Sequence, residues 1–243
     1  MNYNNMHTLK CRLGNYDAGS LLDIGVGRGD FLKFAIHSFR TWRSAAGIDI
    51  DPQALRIATK EFSNTPVILI QGSALHMPFT DRYFDTVTMS NALHHIENLP
   101  PLFTETSRVC NFRGLIVLNE MLNESHSQLQ ETYMLYHRLS ADVDNQLGHF
   151  HREPFTLKEL LSVIKTSGFD MVEYFIHEET TGDYLDRDEI VAMSERLRLK
   201  VQLLKGTDYY YFYDNKAREI INRLAGTGVQ RPRHIAFFLR PAA

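Results

Sequence analysis

Residues Leu21 to Asp30 read LLDIGVGRGD, two apolar positions and an acid running into glycines at alternate places. Glycine is needed where a backbone takes positive φ or lets a ligand approach without a Cβ in the way, so Gly25, Gly27 and Gly29 mark a loop that touches something. Dinucleotide sites use another rhythm, G-x-G-x-x-G, and receive a pyrophosphate at the following helix N-terminus. Asp30 occupies the third-glycine place of that rhythm here, and Asp23 adds a second acid beside the loop. Two acids suit a ligand with a cationic part, an amino group or a sulfonium, better than a diphosphate.

Other residues extend the chemistry. Asp49, at the end of GIDI, stands where an acid can accept from ribose hydroxyls, a device that dinucleotide enzymes share. His94 and His95 follow an apolar run, and histidine exchanges protons near neutral pH. They are candidate catalytic residues; capping the next segment, contacting cofactor or simply packing are the alternatives. His149 and His151 sit two apart in GHFHRE and, with His126, His137, Asp142 and Asp144, have the residue types of a transition-metal site. Their spacing matches no specific metal motif, so no metal is expected, and substrate contact or an ordinary polar loop is the simpler role. In YYYFY (209 to 213) the rings suit a flat or cationic group, with Tyr210 a candidate contact, while Tyr213 falls on an apolar helical stripe.

The elements that must position these residues follow from periodicity. From 21 to about 121, β-rich runs alternate with helical patterns, which predicts a mostly parallel sheet flanked by helices. Strands are expected at 21–25, 44–50, 66–72, 83–91 and 114–121, and the apolar PVILIQG is expected to be an inner strand buried on both faces. Helices are expected at 31–39, at 52–62 behind Pro52, and at 102–110, the last stopped by the turn residues 111–114. Beyond 121 come a helix over 124–143, a capping box of Thr156 and Glu159 opening another at 156–167, a strand at 168–178, two amphipathic stretches, and a closing strand at 234–240. The expectation is one domain, 1–243, with a helical cap formed by insertions at 122–155 and 179–232.

Composition limits the partners. With 243 residues, 44% of them hydrophobic, the chain can bury a substantial core, and a net charge of -3 gives no general attraction to nucleic acid. The first ten residues are polar and do not read as a signal peptide, and no run approaches the roughly 18 apolar residues of a membrane span. Two cysteines exclude a disulfide framework, which points to a reduced, cytoplasmic setting.

The ordered segments resemble those of class I S-adenosylmethionine-dependent methyltransferases of the small-molecule type. LLDIGVGRGD is similar to their first motif, (V/L)LDxGxGxG, and GIDIDPQAL to the second-strand motif. QGSALHMPF is similar to GDAxxLPF, with Ser73 in place of the usual acid. FDTVTMSNALHHI and RVCNFRGLIVLNEM resemble the fourth and fifth strand regions, with NFRG where KPGG is common. The resemblance implies a Rossmann-like, mostly parallel seven-stranded sheet and S-adenosylmethionine as cofactor. Asp23, Gly25, Gly27 and Gly29 would hold its methionine end, Asp49 the ribose, Ile50, Ser73 and Ala74 the adenine, and Asn91 would also contact it. The acceptor would be a small molecule rather than a nucleic acid, whose amino-methylating enzymes resemble one another in an (N/D)PPY segment where this chain has SNAL. The alternatives are an NAD-dependent oxidoreductase using the same turn and Asp49, and a cofactor-binding regulator without turnover, which Ser73 keeps open.

Overall fold

The structure is a computed structural model and describes residues 5–178 and 184–242; residues 179–183, where the second expected insertion begins, lie outside the described residues. Helix α1 (Asn5–Leu13) leads into β1 (Ser20–Ile24), α2 (Asp30–Ser38), β2 (Ser44–Asp49), α3 (Pro52–Glu61), β3 (Val67–Gln71) and β4 (Phe84–Ser90). After a 3-10 turn (Leu93–His95) come α4 (Leu99–Val109), β5 (Cys110–Met121), α5 (Gln128–Gln146), α6 (Leu157–Lys165), β6 (Phe169–His177), α7 (Arg187–Gln202), α8 (Tyr210–Thr227) and β7 (His234–Pro241).

The seven strands form one sheet in the order β3-β2-β1-β4-β5-β7-β6. β1 to β5 are parallel, and β7 runs antiparallel between β5 and β6. The Rossmann-like architecture expected from the alternating pattern is therefore present. Side chains alternate between the two faces, as the period of a strand requires. Leu22, Val87, Ile116 and Phe237 join the hydrophobic cluster on one face, and Leu21, Val117 and Phe238 join the cluster on the other.

Local chemistry fixes the element ends. Asp51 accepts from Gln53 N at 2.7 Å and Pro52 takes the first helical position of α3. Thr156 and Glu159 form the reciprocal capping box of α6.

Two expectations are corrected. β3 is the edge strand, not an inner one: Val67 and Leu69 pack inward while Ile68 is 64% exposed. A short apolar run has no periodicity that separates a strand covered on one face from one covered on both. The segment 111–114 also does not stop a helix. It belongs to β5, where the register jumps from Phe84↔Cys110 to Thr86↔Leu115 and the extra residues bulge out. Gly114 permits the bulge, since a Cβ there would lie 2.6 Å from Cys110 Sγ.

Helices α5, α7 and α8 have a hydrophobic cluster of their own, including Leu139, Val143, Leu197, Val201, Tyr213 and Leu224. Phe237, fully buried in the middle of β7, ties the antiparallel pair β6–β7 to the main core. Phe237→Ala is expected to cost about 3–5 kcal/mol of unfolding free energy, measured by urea denaturation.

Candidate active site at the carboxyl edge of the sheet

The glycine loop leaves β1 at the carboxyl edge, where open α/β sheets bind ligands. Its turn needs three left-handed residues: Gly25, Gly27 and Gly29 have φ of 70°, 52° and 92°. Two are also hemmed in. A Cβ on Gly25 would lie 2.8 Å from the Ala92 Cβ, and one on Gly29 2.5 Å from the Phe62 ring. Gly27 differs, because the nearest atom to its would-be Cβ is Gly25 O at 4.0 Å. Among the described residues nothing requires that space, so Gly27 leaves a cradle.

Asp49 closes the loop. Its carboxylate accepts from Gly27 N at 2.7 Å through one oxygen and from Asp51 N at 2.8 Å through the other. Each oxygen keeps a lone pair for a hydroxyl. Next to it Ile50 is 73% exposed, an apolar side chain held out at the mouth of the site.

Asp23 corrects the simple picture of an open negative charge. It is 1% exposed, and Thr88 Oγ1 donates to its Oδ1 at 2.6 Å. Burial pushes its carboxyl up to about 7, with the Thr88 bond opposing and the Asp49 carboxylate adding to the rise. Near neutral pH the group is thus poised between acid and carboxylate.

Ser73 Oγ accepts from Leu75 N at 3.2 Å, so the hydroxyl caps its own turn, and Ala74 packs against the main core. Arg108 holds the following stretch through the Met77 and Phe79 carbonyls and the Glu105 carboxylate, whose pKa its guanidinium pulls down to about 2. Asn91, in the left-handed region at φ 50°, bridges strands: its Oδ1 accepts from Met121 N at 2.9 Å and its Nδ2 meets His234 Nε2 at 3.3 Å. Burial drives the His234 pKa down to about 4, leaving a neutral ring that accepts from Asn91.

The histidine pair divides. His94 is buried, with Nδ1 3.1 Å from Glu120 Oε2, whereas His95 is exposed. Glu120, at the end of β5, also accepts from Ala92 N at 2.8 Å and Leu93 N at 2.9 Å. Sequence reasoning missed this residue, although an acid within the apolar GLIVLNEM is a visible signal. His151 is buried and turns Nδ1 to Asp144 Oδ2 at 2.7 Å, while Lys200 Nζ lies 2.6 Å from the same oxygen. The His95 and His151 ring centroids are 4.0 Å apart.

The remaining candidates fall elsewhere. His149 is exposed in the loop after α5. Tyr210 packs against the cluster of α5, α7 and α8, outside the group of imidazoles. A hollow of about 460 Å³ beside Asp81, Arg108 and Gly168 contains none of these residues.

A seven-stranded sheet of this order, with a glycine loop and an acid at the end of β2, defines the Rossmann-like methyltransferase class of fold. Comparisons agree. The profile of a family described as "Methyltransferase domain" matches residues 22–118. A demethylmenaquinone methyltransferase of Roseiflexus sp. (strain RS-1) is 27% identical over 170 residues, 64% of this chain and 70% of that protein. A 2-phytyl-1,4-naphtoquinone methyltransferase of Synechocystis sp. is 33% identical over 93 residues, 37% of this chain and 39% of that protein. Among solved structures, a SAM-dependent methyltransferase from Thiobacillus denitrificans in complex with S-adenosyl-L-homocysteine superposes with a TM-score of 0.59 at 18% identity, covering 97% of this chain and 90% of that one. A [4+2]-cyclase does so with a TM-score of 0.60 at 16% identity, covering 97% and 79%. At such identities the likeness is one of fold. The chain carries a methyltransferase domain over residues 22–118 and is a methyltransferase.

The state of Asp23 gives a pH dependence. A cationic ligand stabilises the carboxylate, so affinity for S-adenosylmethionine is expected to rise as pH increases through about 7. In Asp23→Asn, which keeps an acceptor for Thr88, calorimetric titrations should show that rise flattened.

Proposed function

We propose that this methyltransferase acts on a small, flat, hydroxylated acceptor of the quinol type, held between the carboxyl edge of the sheet and the helices α5, α7 and α8. The observation that carries the reading is the loop itself: a cradle at Gly27, the Asp49 carboxylate and the exposed Ile50 stand together at the strand ends, and Ala92, two residues before the paired imidazoles His94 and His95, lies against Gly25. The matched relatives are named as methyltransferases of demethylmenaquinone and of a phytyl-naphthoquinone, which favours a ring acceptor over an amine.

In this reading Asp49 accepts from the ribose hydroxyls, Ile50 covers one face of the adenine, Ser73 and Ala74 border it, and Asn91 is a further cofactor contact at the end of β4. The Asp23 carboxylate and the glycine loop face the methionine end. When bound, S-adenosylmethionine supplies a methyl group on a sulfonium, open to in-line displacement by a correctly placed nucleophile. The chain's own task is then to place the acceptor and exclude water. His95 serves the first. Although one side of the ring meets solvent, desolvation of the side packed on His94 and His151, together with repulsion from those imidazoles, holds its pKa below the ordinary histidine value, so it is neutral at pH 7. Lowered basicity makes it better at orienting an acceptor hydroxyl by a hydrogen bond than at carrying off a full proton. His94, fixed by Glu120, positions that segment.

The segments 122–155 and 179–232 would form the cap of a single domain, with His151 the acceptor contact among the expected ones, since His149 and Tyr210 fall outside the group of imidazoles. The free Cys11 and Cys110 accord with a cytoplasmic setting; among the described residues no helix is long and apolar enough to cross a membrane.

Asp49→Ala removes at least one hydrogen bond to a charged acceptor, worth about 1.5–3 kcal/mol, so affinity for S-adenosylhomocysteine is expected to fall by at least roughly 10- to 150-fold by calorimetry. Incubation with S-adenosylmethionine and a panel of naphthoquinols, phenols, amines and thiols, read by mass spectrometry, tests the acceptor. Methylation of the quinols is expected; methylation of amines or thiols alone would overturn the assignment.

A further inference from the structure

Three buried imidazoles converge from separate parts of the chain: His94 from the turn after β4, His137 from the middle of α5, and His151 from the loop before α6. One ligand atom from each lies within 4.8 Å of the other two. No metal was expected from spacing, because residues so far apart in sequence meet only through the packing of α5 against the edge of the sheet.

The proton inventory shows what the cluster lacks. A carboxylate only accepts, so Asp144 requires a hydrogen on His151 Nδ1 and Glu120 requires one on His94 Nδ1. Both neutral rings then present an Nε2 lone pair. His151 Nε2 lies 3.3 Å from His137 Nε2, and His137 Nδ1 is buried without a hydrogen-bond partner. Two fixed lone pairs and a third, poorly satisfied imidazole surround a point where a cation would be favourable.

We propose that His94, His137 and His151 form a site for a divalent transition metal of the zinc type, with Glu120 and Asp144 as its outer partners. The observed 3.3 Å Nε2 separation matches the edge of a tetrahedron whose corners lie about 2.0–2.1 Å from a central zinc. The widest permitted separation of 4.8 Å must contract by at most about 1.5 Å to reach that edge. Carboxylates on the far nitrogens are the usual means of fixing a metal-binding imidazole. Three nitrogens leave a fourth position for water or an oxygen of an acceptor, with His95 beside it, 4.4 Å from His94 between ring centroids. Occupancy would bind α5 and its following loop to the core.

The test uses the full chain, freed of metal with a chelator and titrated with cobalt(II), then zinc. One equivalent of cobalt should produce the visible bands of a four- or five-coordinate nitrogen site, and zinc should abolish them. His137→Ala should eliminate the bands, Asp144→Asn should weaken zinc binding roughly 10- to 100-fold, and His126→Ala, at an exposed position, should change neither. Circular dichroism checks that each variant folds; if His137→Ala does not, Asp144→Asn decides. Absence of a stoichiometric cobalt spectrum, or binding unchanged in the folded variants, overturns the site. The readout is independent of turnover, so its failure leaves the methyl-transfer reading untouched.

Discussion

The carboxyl edge of the sheet depends on a single buried carboxylate. Glu120 ends β5 with its oxygens on Ala92 N, Leu93 N and His94 Nδ1, and so dictates the path of the chain as it leaves β4. Such a group is costly to bury unless its lone pairs are filled, and these three donors fill three of the four. The arrangement then propagates. Ala92, fixed by Glu120, stands against Gly25 so closely that no side chain fits there. The glycine loop is accordingly set from outside as well as by its own conformation, and the tautomer of His94 is set by the same carboxylate.

The polar groups around this edge form a second layer of constraint. Asp49 ties the loop to the end of β2, while Asn91 ties the end of β4 to β5 and β7. Asp144 joins α5 to α7 through Lys200 and holds His151. Groups fixed in this manner spend little entropy on ordering when a ligand arrives, which is the condition for accurate placement of reacting atoms. The apolar layers beneath supply the stiffness. Side chains on both faces of β1, β4, β5 and β7 are interleaved in closed clusters, so the strand ends cannot drift independently.

Much of this was legible in the sequence, for physical reasons that differ by element. The glycine loop and Asp49 were readable because their chemistry is local: φ, Cβ space and a following acid all lie in adjacent elements. The capping box at Thr156 and the Pro52 start of α3 were readable for the same reason. β3 was misplaced because edge and interior strands share a composition when one face of each is covered. The bulge at 111–114 looked like a turn because turn residues also serve an irregular strand. Asp23 read as an open charge, although its burial is a property of the assembled sheet. The meeting of His94, His137 and His151 was illegible, since it depends on how a helix lies across the strand ends and no spacing encodes that.

The separate cluster beneath α5, α7 and α8 has a consequence for descent. Contacts there are satisfied among the three helices, apart from the two clusters that line the sheet. Substitutions in one interior need little compensation in the other. The family model matches residues 22–118, which include the cofactor loop and precede α5. The half that carries the cofactor loop can stay recognisable while the helical half diverges, and one lineage can thereby try many pockets on an unchanged source of methyl groups.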